Sequence, residues 1–268
     1  RNFGGAYHHL GRETYLAPVT WNEGEWPTVY GGEAIDTVMR TALLPATDME
    51  GCPKECITGN ANCVARTADC AGECGRTYDF TRIKDFGPEW IHLGQPVDGA
   101  YALTDKGLAL RASVATVDGT EPTTWIGLRQ TAPSCTYTAE MDCGRIGSAR
   151  AGLTVYQINS GHADLCVVKS GKAFKASLRL RLKSVDTVLG EVAMASPRVM
   201  IRVVSDGLLY KFYVGDAAAK SLEWKYIGQV DCPLLSTEVA GGFTGVTMGM
   251  YCNGNDGTVT VKSFDINQ

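Results

Sequence analysis

The stretch KASLRLRLK (175–183) sets Leu178, Leu180 and Leu182 against Arg179, Arg181 and Lys183. Successive side chains of an extended chain point to opposite faces, so this alternation predicts a strand with one buried face and one wet face. VMIRVV (199–204) and TVTVK (258–262) repeat the pattern. YALT, GLALRA, TWIGLRQ, GLTVYQI, DLCVVK, LLYKFYV, WKYIGQV and VTMGMYC fill the rest, with VDGT, SGK, SDG and NGNDG as turn signals between them. About a dozen strands are expected between 78 and 268, without interleaved amphipathic helices, and that pattern means an antiparallel sandwich or barrel. A span of ~190 residues exceeds a seven-stranded immunoglobulin-type unit, so an all-β jelly roll is the better fit. Upstream, ETYLAPV (13–19) and WPTVY (26–30) read as two short strands joined by the turn NEGE, and AIDTVMRTALL (34–44) is the one helix-like stretch.

Residues 48–76 are different. They hold Cys52, Cys56, Cys63, Cys70 and Cys74 but almost no large apolar side chain, so cross-links rather than a core are expected to hold them together. Five is odd, so one of them should reach a cysteine elsewhere, with Cys166 a candidate. Cys135, Cys143, Cys232 and Cys252 complete an even set of ten disulfide candidates. No pair has C-x-x-C spacing, which argues against zinc and for an oxidising, secreted setting. The chain opens at Arg1 rather than Met, which leads us to expect processing or a start further upstream.

Composition excludes several function classes. In 268 residues, 29 acids against 25 bases give a net charge of −4, leaving no basic surplus for nucleic acid or an anionic membrane. No run approaches the ~18 apolar residues of a membrane span. No phosphate-cradling glycine loop or Ser-His-Asp signature is present, and SGK (170–172) reads as a turn.

Glycoside hydrolysis needs two carboxylates, and the nearest local pattern is Glu140 and Asp142 in AEMDCGRIG, two apart and so on one face of a strand. The third position is Arg145 rather than an acid, so a strand end is the better reading. His8 and His9 are adjacent, hence on opposite sides of an extended chain and not joint ligands of one metal. Arg12 and Glu13 read as a structural ion pair or an active-site clamp, and the residue chemistry favours the former. His92 and His162 stand alone and suggest packing or surface. Trp90, Trp125, Trp224 and Tyr251 are candidates for stacking on sugars, although core packing is the commoner fate of strand aromatics.

The string HHLGRETYLAPVTWNEGEWPTVYGG (8–32) resembles the closing segment of the five-bladed propeller of family 43 glycoside hydrolases, where "LGRETFLAPVxW…GWP" occurs. PEWIHLGQP (88–96), IGLRQ (126–130), AGLTVYQ (151–157) and GFTGVTMGMYC (242–252) are similar, in order, to strings of the C-terminal concanavalin-like sandwich of the β-xylosidase and α-arabinofuranosidase type. The resemblance implies three parts: 1–47 as last propeller strands and linker, 48–76 as a cysteine-rich insert, and 77–268 as the sandwich. Arg12 would reach the active-site carboxylates and sugar hydroxyls as a bidentate clamp. His9, or else His8, would face the propeller axis. Phe243 and Thr244 would lean over the sugar pocket, and Thr247 stands where relatives tend to carry a second aromatic. The family's catalytic Asp base, pKa-tuning Asp and Glu acid belong to earlier blades, which this sequence does not contain. The implied partners are therefore an N-terminal propeller part and an oligo- or polysaccharide. No cofactor is required. Calcium is admitted, since sandwiches of this type and propeller centres can hold it, although no D-x-D-x-D-G loop is present and no metal ligands are assigned. The alternative is a non-catalytic, lectin-like sugar-binding sandwich, and a third reading makes 48–76 an interaction surface.

Overall fold

The computed structural model describes residues 7–11, 17–34 and 75–267. Two compact units divide the chain: Glu13–Cys74, and Gly75–Gln268 together with Arg1–Arg12. In the first, β1 (Val19–Thr20) pairs with β2 (Thr28–Val29) in antiparallel register, Val19 opposite Val29. The backbone N–H of Glu25 donates to the Asn22 carbonyl at 3.2 Å, closing the expected NEGE turn. Trp21 and Trp26 on this hairpin are 75% and 91% exposed. The expected helix (34–44) and the cysteine-rich segment lie outside the described residues, apart from Ala34 and Gly75–Arg76.

The second unit is a sandwich of two antiparallel sheets. Its strands are β3 (Gly75–Asp79), β4 (Ile91–His92), β5 (Tyr101–Thr104), β6 (Gly107–Arg111), β7 (Trp125–Arg129), β8 (Ser134–Arg145), β9 (Arg150–Ile158) and β10 (Gly161–Ser170). They continue with β11 (Ala173–Leu182), β12 (Val185–Met194), β13 (Arg198–Asp206), β14 (Leu209–Asp216), β15 (Lys225–Asp231), β16 (Thr247–Asn253) and β17 (Thr258–Asn267). One sheet runs β12-β11-β10-β9-β16-β7-β4; the other runs β15-β14-β13-β8-β17-β6-β5, with β3 also on β17. Non-sequential neighbours such as β9 with β16 and β8 with β17 are the crossings that make a jelly roll rather than a meander.

The period-two residues place the core. Leu178, Val199, Ile201, Val203, Val259 and Val261 are fully buried between the sheets. Each such side chain contributes roughly 1.5–3 kcal/mol of burial. Trp90 packs with Tyr78, Phe80, Phe86 and Phe264 at ring separations of 4.8–5.9 Å, closing one end.

Two expectations are corrected. The polar face of KASLRLRLK is not wet at Arg179, which is 9% exposed, because the segment joining β6 to β7 folds over that face of the sheet. Val117 of this segment packs there with Trp125, Cys166 and Tyr251. The Trp125 ring lies against Gly127, where a Cβ would come 2.6 Å from Cη2, and its Nε1–H donates to Thr154 Oγ1 at 2.9 Å. The second correction concerns the cysteines. Cys135, Cys143, Cys166, Cys232 and Cys252 are all buried free thiols, so no disulfide is found among the described residues. Cys135 and Cys143 both lie on β8, eight positions apart. At ~3.3 Å per residue they are far beyond bonding distance of each other. These thiols behave as small apolar side chains, and burial pushes Cys166 up to about 11 and Cys232 and Cys252 up to about 12. The other five cysteines lie outside the described residues.

Candidate functional site

Residues 8–11 are laced onto the loop preceding β16. The Val246 N–H donates to the His9 carbonyl at 2.7 Å, and the His8 N–H donates to Glu238 Oε2 at 2.8 Å. The His8 ring Nδ1 closes on Glu238 Oε1 as well. Gly11 and Gly245 cross at their backbones, both with positive φ (76° and 77°). A Cβ on Gly11 would sit 2.6 Å from the Gly245 nitrogen, so the crossing requires glycine. This lacing leaves Phe243 at the loop tip, 66% exposed, with Thr244 exposed beside it.

His9 is 1% exposed, with its ring edge-on to Tyr210 at 6.3 Å. Burial lowers its pKa to about 4, so its ring is neutral. Thr247 is 6% exposed and donates to the Tyr156 carbonyl at 3.2 Å, so its hydroxyl is engaged within the sheet. Arg12 lies outside the described residues. The structure thus brings His9, Phe243 and Thr244 onto one laced segment and sets Thr247 behind them in β16.

The other sequence candidates have structural partners. Glu140 accepts from Lys262 Nζ at 2.8 Å, and Asp142 accepts from the Gly144 N–H at 2.9 Å. His92 is edge-on to Tyr101 at 4.8 Å, and burial lowers its pKa. Trp90, Trp125 and Tyr251 are core; Trp224 is half-buried on the outer face of the eight-stranded sheet.

One cluster escaped sequence reasoning. His162 lies 2.8 Å from Asp164 and 3.1 Å from Asp118, while Arg179 binds Asp118 at 2.7 Å, Asp164 at 3.3 Å and Asp186 at 2.6 Å. His162 and Asp164 are fully buried. Burial alone would discharge the imidazole, but Asp164 and Asp118 outweigh it and push the pKa up to about 9. Burial likewise opposes charge on Asp118, and His162 and Arg179 overcome it, holding that carboxyl well below the usual range. The signal was present but scattered: Asp118 sits in VDGT, a turn by composition, and Arg179 looked like one tooth of an exposed comb. Removing one member of such a buried set typically costs ~3–5 kcal/mol, because the partner charge is stranded. The cluster fastens the β6–β7 segment to the sheet. Among the described residues no group of three or more His, Cys, Asp or Glu is arranged to hold a metal.

Two antiparallel sheets with jelly-roll crossings define a concanavalin A-like sandwich. The chain belongs to the family of beta xylosidase C-terminal concanavalin A-like domains, whose pattern matches residues 77–267. It is 29% identical over 260 residues to a non-reducing end alpha-L-arabinofuranosidase of Bacteroides ovatus, covering 95% of this chain and 44% of that protein. It is 26% identical over 256 residues to a xylosidase/arabinosidase of Butyrivibrio fibrisolvens, covering 93% and 44% respectively. Among solved structures it resembles the Bacteroides ovatus xyloglucan PUL GH43B (TM-score 0.78, 26% identity, 99% of this chain and 49% of that one). The fold is shared with a xylan beta-1,4-xylosidase of Bacillus halodurans C-125 (TM-score 0.77, 19% identity, 100% and 49%). The resemblance to the C-terminal portion of family 43 glycoside hydrolases is therefore real, and the chain spans about half the length of the curated relatives it matches.

Proposed function

We propose that the chain is the supporting half of a secreted glycoside hydrolase acting on xylose-, arabinose- or galactose-containing plant polysaccharides. Its catalytic carboxylates stand on a propeller part N-terminal to the sandwich. The observation that carries this reading is the laced loop: a glycine crossing fixes the loop whose tip presents Phe243, 66% exposed. Such an exposed aromatic suits a binding rim better than it suits packing. In this reading Phe243 and Thr244 form one wall over a sugar, and Arg12 orients the sugar and the carboxylates. Neutral His9 packs beneath the rim and fixes its position. The reaction is inverting: one carboxylic acid protonates the leaving oxygen while a carboxylate ~6.5–9.5 Å away activates water. The propeller supplies both groups. The test is hydrolysis of aryl xylosides and aryl arabinofuranosides by the chain alone and by the chain joined to a family 43 propeller. The joined form turns over and the chain alone does not; turnover by the chain alone contradicts the reading.

A further inference from the structure

The outer face of the eight-stranded sheet carries a row of side chains set by register. Tyr226 on β15 lies opposite Tyr213 on β14, which lies opposite Arg202 on β13, which lies opposite Thr138 on β8. Their neighbours in sequence, Phe212, Val214, Ile201, Val203, Tyr137 and Ala139, all point into the core, so the row faces outward. Tyr226 is 53% exposed and its ring stands 5.5 Å from that of Tyr213, inclined at 59°. Trp224, two residues before Tyr226, shares this face and lies 4.1 Å from the Arg202 guanidinium, which also donates from Nε to Thr138 Oγ1 at 3.1 Å. The opposite position on β14 is Gly215, where a Cβ would come 2.5 Å from Leu222 Cδ1. The bare backbone there makes room for the 222–224 segment to close over the strand.

Three aromatic rings, rigid and partly wet, are here ringed by short-range polar groups. Tyr226 Oη donates to Gln229 Oε1 at 3.1 Å. A cleft of about 390 Å³ opens beside Gly215, lined in part by Asp216, Lys220, Ser221, Glu223 and Lys225. The cations nearest the rings are engaged: Arg202 is stacked on Trp224, Lys211 binds Asp206 at 2.9 Å, and Lys262 binds Glu140 at 2.8 Å, while Lys220 and Lys225 share the cleft with Asp216 and Glu223. A polyanion entering the cleft would meet Asp216 and Glu223 beside the two lysines. An apolar protein surface would have to strip the polar groups that interrupt the rings. The ligand that matches is uncharged, with apolar ring faces and a fringe of hydroxyls.

The geometry points to a polysaccharide-binding surface at Tyr213, Trp224 and Tyr226 that takes a neutral, pentose-rich glycan chain. Sugar faces stack on Tyr226 and Tyr213, and hydroxyls meet Gln229 and the cleft. The inference takes only its ligand class from the proposed function, because the surface uses none of Arg12, Phe243 or Thr244.

The test is affinity electrophoresis of the full 268-residue chain through gels containing soluble neutral arabinoxylan. Wild type, Tyr226→Ala, Trp224→Ala and Phe243→Ala are compared, with melting temperatures measured alongside. Wild type is retarded, and added salt does not change this. Tyr226→Ala weakens retention about threefold to tenfold without lowering the melting temperature, as loss of one aromatic stack predicts, and it weakens retention more than Phe243→Ala does. Several results overturn the inference. One is retention lost in Phe243→Ala but kept in Tyr226→Ala, which would leave the proposed function standing. Others are retention abolished by salt, no retention at all, or a wild-type dimer that Tyr226→Ala converts to monomer.

Discussion

His162 shows how a single buried charge sets the pH response. Its folded-state pKa is raised to about 9 against an ordinary 6.5. Its stabilisation is therefore fully present below about pH 6.5 and lost as pH rises through 9, where the folded protein must also give up the proton. His9 works in the other direction: its pKa is lowered to about 4, so stability falls as pH drops below 6.5 and the unfolded chain gains a proton that the folded one refuses. Urea unfolding across this range should show a maximum near pH 6.5. In His162→Gln the alkaline decline between 6.5 and 9 should flatten while the acid decline remains. An alkaline decline that persists in the variant would show that the cluster does not carry it. The sequence made this histidine look isolated because one partner, Asp118, lies 44 residues before it, and the other, Asp164, is held in turn by Arg179 of the neighbouring strand. Only register puts Arg179 opposite Asp164.

At the scale of elements, the lacing of residues 8–11 to the loop before β16 depends on two glycines with left-handed backbone. Gly245→Ala should destabilise the unit by about 1 kcal/mol or more, since Ala at positive φ is strained and its Cβ would meet the Leu10 and Gly11 backbone. Hydrogen exchange reads the effect locally, as loss of protection at the Val246 amide that donates to His9. Unchanged protection there would mean that the lacing does not rest on this crossing. The strands themselves were legible in the sequence because alternation in KASLRLRLK, VMIRVV and TVTVK is dictated by a core on one side. What covers the other side was not legible: Asp118 reaches the sheet from a segment whose composition reads only as a turn. The cysteines were misread for a related reason. An even count suggested pairing, but a thiol that a strand turns toward the core is interchangeable with Ala or Val. Cys135, Cys143, Cys166, Cys232 and Cys252 therefore give no support to an oxidising compartment, and that argument rests on the five in 52–74.

At the scale of the whole molecule, the two units leave large apolar side chains in water in different ways. Trp21 and Trp26 stand on the hairpin of one, and Phe243 on the loop of the other. Large exposed apolar groups on protein surfaces commonly mark interaction or ligand sites. The propeller-like string that precedes the two tryptophans in sequence, LGRETYLAPV, was readable at once, since it is specific. The contacts of Arg12 were not, because a string of letters names no partner for a guanidinium, and Arg12 lies outside the described residues. Native mass spectrometry of the protein purified from its source without denaturation, paired with its glycosidase activity, tests this account most directly. The account predicts that active material has a mass well above 28.7 kDa, with a catalytic part attached to this chain. A species of 28.7 kDa that hydrolyses xylosides or arabinosides unaided would contradict it.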